Sequence, residues 1–319
     1  MSEPIRIGLV GCGRLAELGY LPALTLTDRV RLVAVADPDG RRCGSIARAA
    51  GADVRPHGDL ETMLDAGDLD AVVLASPASA HVADATAAVA ASLPVLVEKP
   101  PAPDAAGAAT LAALGGDVHL GFNRRFDPGA RRVRDAVPAE GPVAIDVAIQ
   151  YRRASWNAHT VCDDVLSDLG PHLVDWVRWL AGQEVVGVQA HEVSSDRASV
   201  RLTTTRGTAT LTASADRFHA ESIEVVDVTG ASIARHSAGG LVAAVTDRVL
   251  RRNQPHPLAE SLAAQLDAFA DVVDGGSSAD LATTVDGLRT MSAIDAARTS
   301  AAAGSRRVDI HEPREQTSC

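Results

Sequence analysis

The chain has 319 residues, 46% of them apolar and 22% charged, and a net charge of −11. That length and balance fit a soluble globular protein of two domains and exclude a disordered chain. The acidic excess, without any basic stripe interleaved with aromatics, excludes DNA or RNA as the expected partner and leaves a small solute. Cys12, Cys43, Cys162 and Cys319 are far apart and form no C-x-x-C pair, so neither a disulfide framework nor a zinc site is expected, and a reducing cytoplasm fits best. No basic n-region precedes the apolar run at Ile5, so no export signal is expected. The longest apolar region, Ala71 to Val97, is broken by Pro77, His81, Asp84 and Pro94 and cannot form a membrane-spanning helix.

Along the first 122 residues, short apolar runs alternate with Ala-rich helical stretches: Ile5–Val10 then Leu15–Leu26, Val30–Ala36 then Arg41–Ala50, Ala71–Ala75 then Val82–Ala91, Val95–Val97 then Asp104–Leu114. This rhythm predicts a parallel sheet wrapped by helices. The first turn reads Gly11-Cys12-Gly13-Arg14-Leu15-Ala16. Gly11 permits a tight turn, Gly13 lets the backbone approach a pyrophosphate, and Ala16 keeps the helix close to the sheet. Asp37 lies 21 residues beyond Ala16 at the end of the second run, where a carboxylate holds the adenine ribose. Together they predict a dinucleotide site. Asp37 favours NAD because it repels a 2′-phosphate, whereas Arg41 and Arg42 could pair with one and keep NADP as the alternative.

Of 30 basic side chains, 29 are arginine and one is Lys99, which follows the strand-like run Val95–Val97 in Val97-Glu98-Lys99-Pro100. Arg-rich composition could leave one lysine by accident. Arginine is a planar fork, whereas lysine is a compact donor suited to one oxygen, so Lys99 is the first candidate for chemistry. It follows a strand, at the carboxyl edge where ligands of such sheets bind. Further on, Asp168 and His172 are four apart at the start of a helix carrying Val174, Val177 and Leu180, so both project from one face. A carboxylate there would orient the imidazole and raise its pKa, readying it to exchange a hydroxyl proton, while Lys99 polarises the oxygen. The alternative is a helix cap and a core histidine. Trp176 and Trp179 read as core, and Trp156 as a cleft-lining candidate. Tyr151 and Arg152 end a strand and could point into the cleft. His159 and Cys162 lack metal-ligand spacing, so no metal is expected.

The stretches Gly11–Ala16, Ser76-Pro77 with His81, Glu98-Lys99-Pro100, Gly121–Pro128 and Ser167–Asp175 together resemble the Gfo/Idh/MocA oxidoreductases, over nearly the whole chain. The resemblance implies an α/β architecture: an N-terminal Rossmann domain with a doubly wound parallel sheet, residues 1–122, then an α+β domain with an open, largely antiparallel sheet, residues 123–319. It implies a catalytic set of Lys99, Asp168 and His172 and a cis Lys99–Pro100 bond. Ser76, Pro77, His81 and Glu98 join the implied cofactor contacts, and Arg124 and Arg125 the substrate side, though either could cap the joining segment. Homodimers or homotetramers are also implied, with a Thr/Val/Leu-bearing sheet face as their surface.

The chain departs from the family pattern at Cys162-Asp163-Asp164, where glycines are usual, and at Ala78 and Leu93-Pro94. Asp163 and Asp164 could favour a cationic substrate such as an amino sugar, or could cap the helix that follows. Strands are also expected at Arg197–Thr205, Thr208–Ala215 and Ser222–Val228, and helices at Leu258–Asp274 and Leu281–Ala303. The leading expectation is an NAD(P)-dependent oxidoreductase of a sugar, cyclitol or related polyol. The alternatives are an NAD-requiring glycosidase with internal redox cycling and a catalytically silent sensor.

Overall fold

A computed structural model describes residues 3–153, 164–240 and 257–310. The first sheet is built from β1 (Ile5–Val10), β2 (Val30–Ala36), β3 (Arg55–His57), β4 (Ala71–Leu74), β5 (Val95–Glu98) and β6 (Val118–Gly121). All pair in parallel. Side chains alternate across each strand. Ile5, Ile7 and Leu9 therefore face one core and Val10 the other. Helices α2 (Gly40–Ala50), α3 (Leu60–Asp65), α4 (Ala78–Ala90) and α5 (Ala105–Ala113) cover the two faces, giving the expected doubly wound unit. Aspartates start many of these helices: Asp39, Asp59 and Asp104 each accept from backbone amides of the first turn. Part of the acidic excess is thus helix capping.

The turn after β1 does not enter an ordinary helix. A π-helical turn, Ala16–Tyr20, runs into α1 (Leu21–Leu24), and this places Tyr20 in the interior.

Past Gly121 the chain forms α6 (Pro128–Ala136), β7 (Val143–Arg152), α7 (Val165–Ala181) and β8 to β12: Val185–Val193, Arg197–Thr204, Gly207–Ser214, Asp216–Val226 and Ser232–Gly239. With β14 (Val308–Asp309) these strands make a second sheet in the order β12-β11-β7-β10-β9-β8-β14. It is antiparallel apart from the parallel pair β7 and β10. One face packs on α7 and on α9 (Thr284–Ala302) through Val147, Ile149, Val200, Leu202 and Leu211. The other face carries Asp146, Arg201, Thr210, Thr212 and Glu224 to solvent. The expected Thr/Val/Leu face is thereby divided. Strand alternation sends Val and Leu inward and leaves a polar outer face.

A single cut after residue 122 does not describe the packing. α8 (Pro257–Val273) returns to the first sheet, where Leu262, Leu266 and Phe269 share a core with Ile5, Ile7 and Leu9. β13 (Ala282–Thr283) then pairs antiparallel with β6, at the start of what periodicity read as helix from Leu281. A cover helix has the same period wherever it packs, so its partner sheet is not visible in sequence. Among the described residues no helix is long and apolar enough to cross a membrane.

Buried charge ties the segment that follows β6 to α7 and α9. Arg125 donates to Asp175 of α7 at 2.9 and 2.5 Å, with Asp286 of α9 at 3.4 Å. Asp175→Ala is expected to lower unfolding free energy by about 3 kcal/mol, because it leaves most of a buried guanidinium charge uncompensated. Urea unfolding measures this; a loss near zero would mean Arg125 is satisfied by Asp286 alone.

Candidate active site

The carboxyl ends of β1, β2, β4 and β5 form one edge. At Gly11 φ is +97° and an added Cβ would lie 2.5 Å from the Ala75 carbonyl, so the turn demands glycine. At Gly13 an added Cβ would meet nothing within 4 Å, so the backbone there faces open space. Asp37, buried at the end of β2, accepts from Cys12 N and Asp39 N, both at 2.8 Å. This ties the turn to the strand that would hold the ribose. The arrangement fits a dinucleotide, with glycine backbone toward the pyrophosphate and a carboxylate beyond it.

Arg42 Nη2 lies 3.3 Å from Asp37, while Arg41 is exposed beside Asp39. Arg42 therefore offsets the charge that discriminates against NADP without removing it. Asp37→Ala is expected to weaken NAD more than NADP, read as dissociation constants for both. Equal losses would show that Asp37 only braces the turn. Arg14 pairs with Glu17 at 2.6 Å, and Leu15 leads into the π-helical turn.

After β4, the Ser76 hydroxyl donates to Asp84 at 3.0 Å and Pro77 starts α4. The buried His81 ring contacts the carbonyls of Ser76 at 2.8 Å and Pro100 at 3.1 Å. It thus ties the β4 loop to the segment carrying Lys99, whose bond to Pro100 is cis. Its nitrogens are taken by backbone, so its reach to a cofactor is through these loops.

Lys99 Nζ donates to both the Asp168 carbonyl and Asp168 Oδ1, each at 3.0 Å. α7 also contains Pro171, which has no N–H to offer the Ser167 carbonyl four residues before it. The Tyr151 hydroxyl donates to Asp168 Oδ2 at 2.6 Å. Burial alone would raise the Asp168 carboxyl, but the Lys99 charge and the Tyr151 bond hold it below its ordinary value. Burial and Asp168 push the Tyr151 hydroxyl up, keeping it a donor.

His172 is one turn along α7, buried, with Nδ1 lacking a hydrogen-bond partner among the described residues. The expected raised pKa is reversed. Burial, then the charges of Arg124 and Lys99, push the imidazole well below its ordinary range. Asp168 is engaged by Lys99 and Tyr151, so its charge does not reach the ring as an uncompensated one.

Sequence reasoning missed Tyr20 and Glu221. Tyr20 donates to Glu98 Oε1 at 2.6 Å, and Glu98 Oε2 accepts from Lys99 N at 3.1 Å. Burial raises the Glu98 carboxyl. Both tyrosines of the chain thus bond carboxylates adjoining Lys99. Glu221 of β11 pairs with Arg124, whose guanidinium lies 5.6 Å from the Trp176 ring centroid. A charged residue in phase with the apolar Ile223 and Val225 was the available signal.

The other candidates disperse. Arg125 is committed to Asp175, and Arg152 is exposed. Asp164 caps α7, accepting from Ser167 N at 2.8 Å and its hydroxyl at 3.0 Å. This is the capping alternative, and Asp164 gives the cationic-substrate expectation no support. Trp156, His159, Cys162 and Asp163 lie outside the described residues. Trp176 and Trp179 are buried, as core side chains should be.

Residues 5–117 match the family described as "Oxidoreductase family, NAD-binding Rossmann fold". The chain is similar to Inositol 2-dehydrogenase 2 of Paenarthrobacter aurescens, 31% identical over 311 residues, covering 89% of this chain and 92% of that protein. It is 37% identical over 211 residues to Inositol 2-dehydrogenase 1 of Saccharopolyspora erythraea, covering 62% of this chain but only 61% of that relative. Similar partial spans, 57% and 61% of the relative, hold for Inositol 2-dehydrogenase 2 of that organism and Inositol 2-dehydrogenase of Leifsonia xyli. Among solved structures, GenD2 from gentamicin A biosynthesis in complex with NAD superposes with TM-score 0.77 at 25% identity, covering 98% of this chain and 97% of that one. Scyllo-inositol dehydrogenase from Lactobacillus casei with bound NAD(H) and scyllo-inositol gives 0.78 at 20% identity, covering 96% and 99%, a likeness of fold. With one relative matched across nearly its full length and the Rossmann unit matched by its family, the chain belongs to the Gfo/Idh/MocA oxidoreductases with an NAD-binding Rossmann fold.

Proposed function

We propose that this protein is an NAD-dependent dehydrogenase of ring polyols, cyclitols or sugars, acting at a secondary carbinol. The observation that carries this reading is the Lys99–Asp168–Tyr151 hydrogen-bond chain, at the sheet edge shared with the glycine turn and beside the neutral His172. NAD, when bound, supplies the hydride-accepting nicotinamide. Lys99 holds the substrate oxygen and stabilises negative charge developing on it. Asp168 and Tyr151 fix the ammonium in place, so little reorganisation is needed as that charge appears. His172, uncharged at neutral pH, takes the hydroxyl proton. The names of the relatives, inositol 2-dehydrogenases, support cyclitols as the first compounds to try.

The test is NADH formation with a panel of inositols, hexoses and amino-substituted cyclitols, after thermal-shift assays with NAD and NADP. Dinucleotide binding raises the melting temperature by mass action whether or not a substrate is found. NADH is expected with a subset of the neutral rings. Binding of NAD with no turnover of any ring would contradict the assignment.

A further inference from the structure

The segment that opens with the glycine turn closes against the strand that carries Lys99. Just past Gly13 the chain winds into the π-helical turn Ala16–Tyr20, which puts Tyr20 inside at 1% exposure. Single π turns of this kind recur at functional sites. This one is packed hard: at Gly19 a Cβ would lie 2.8 Å from a Leu262 methyl of α8, and Tyr20 shares a core with Leu9, Leu96 and Leu262.

A hydroxyl carried into such a core needs a partner, and Tyr20 finds Glu98 Oε1 at 2.6 Å, at the last residue of β5. That length is typical of a hydroxyl donating to a charged carboxylate. The second oxygen, Oε2, accepts from Lys99 N at 3.1 Å. On β6, Glu98 lies opposite Gly121, where a Cβ would fall 3.0 Å from Oε1. The carboxylate is thus set between two donors and a strand backbone. The titratable groups acting on it are Tyr20, from the π-helical turn, and its neighbour Lys99: burial raises the carboxyl, and these two draw it back down. Burial and Glu98 push the Tyr20 hydroxyl well above its ordinary range, so it keeps its hydrogen and donates.

Lys99 is therefore held at both ends. Its Nζ is tied to Asp168 of α7, and its backbone N–H to Glu98 and through it to Tyr20. We propose that Tyr20 is a positioning residue, whose hydroxyl acts through Glu98 to hold Lys99 in place from the side of the glycine turn. The inference rests on the proposed function and adds a residue to it. A donor is preorganised only when its main chain is fixed as well as its tip, because the ammonium meets the substrate oxygen where the backbone leaves it.

Tyr20→Phe removes the hydroxyl and keeps the ring, whereas Glu98→Gln keeps an acceptor for Tyr20 and removes the titrating charge. Both variants and the double variant should be assayed with NAD and an inositol that the wild type oxidises, across the pH range in which all remain folded. Loss of one hydrogen bond to a charged group predicts about a tenfold lower kcat in Tyr20→Phe, with KM and the NAD dissociation constant within a few-fold. That loss should deepen as pH falls, because without the hydroxyl Glu98 takes up its proton at higher pH. Glu98→Gln should show its loss at every pH, and the double variant should be scarcely worse than Glu98→Gln, since Tyr20 acts through that carboxylate. Wild-type kcat and pH profile in Tyr20→Phe would overturn the inference and leave the proposed function standing. A pH-independent loss that adds in full to that of Glu98→Gln would also overturn it, by showing that Tyr20 only fills the core. A wild type that binds NAD but oxidises no ring polyol would defeat the proposed function and this inference together.

Discussion

Lys99→Arg is expected to lower kcat by about 10²-fold or more while leaving NAD affinity and melting temperature close to wild type. One ammonium nitrogen bonds the Asp168 carbonyl and Oδ1 at once, in a position where the lysine side chain is only 20% exposed. A guanidinium is longer, planar and spreads its donors over a fork, so it cannot keep both bonds and present a single donor to the substrate oxygen. The size of the effect follows from loss of one preorganised donor to developing negative charge. Lys99→Met should be at least as severe, since it also leaves Asp168 without its cation. Steady-state kinetics with NAD titrations separate these effects. Turnover near wild type in Lys99→Arg would mean that the lone lysine is a remnant of Arg-rich composition.

His172→Ala is the second large effect, an expected loss of about 10² to 10⁴ in kcat with NAD affinity within a few-fold. Because Nδ1 has no partner among the described residues, truncation breaks no observed bond at that atom, and little stability beyond packing should be lost. The pH dependence has a defined sign. Burial and the charges of Arg124 and Lys99 lower the imidazole, so the free enzyme should keep its neutral base, and its kcat/KM for alcohol oxidation, to below pH 6.5. An acid limb above that value would contradict the charge arrangement. Stability follows the same linkage: the unfolded imidazole takes up a proton as pH falls through about 6.5 and the buried one does not, so acid favours unfolding. His172→Asn should remove that share of the acid sensitivity.

The parallel sheet and its dinucleotide turn were legible because their signals are local. Gly11, Gly13 and Asp37 act through backbone geometry and strand ends, which a short stretch of sequence specifies. Lys99 was legible as a solitary exception, and Asp168 with His172 through helical spacing. The protonation of His172 was not, because it depends on which side chains reach Asp168 first. Lys99 arrives from 69 positions away and Tyr151 from 17, and only folding shows that together they occupy that carboxylate. Tyr20 was hidden by the π-helical turn, which shifts every later residue of its helix relative to a 3.6 period. A bulge at Arg217–His219, opposite Tyr151 of β7, was hidden for a similar reason: inserted residues break the alternation by which strand faces are read.

Hydride transfer from a secondary carbinol carries the hydrogen of the carbinol carbon onto the nicotinamide, so isotope transfer reports it. The protein, NAD and a ring polyol deuterated at the carbinol carbon are incubated together, and the reduced dinucleotide and organic product are analysed by mass spectrometry. NADH carrying one deuterium is expected to accumulate, with an equal amount of ketone. Cleavage of a glycosidic substrate without net NADH, or bound NAD with no movement of label from any ring carbinol, would contradict it.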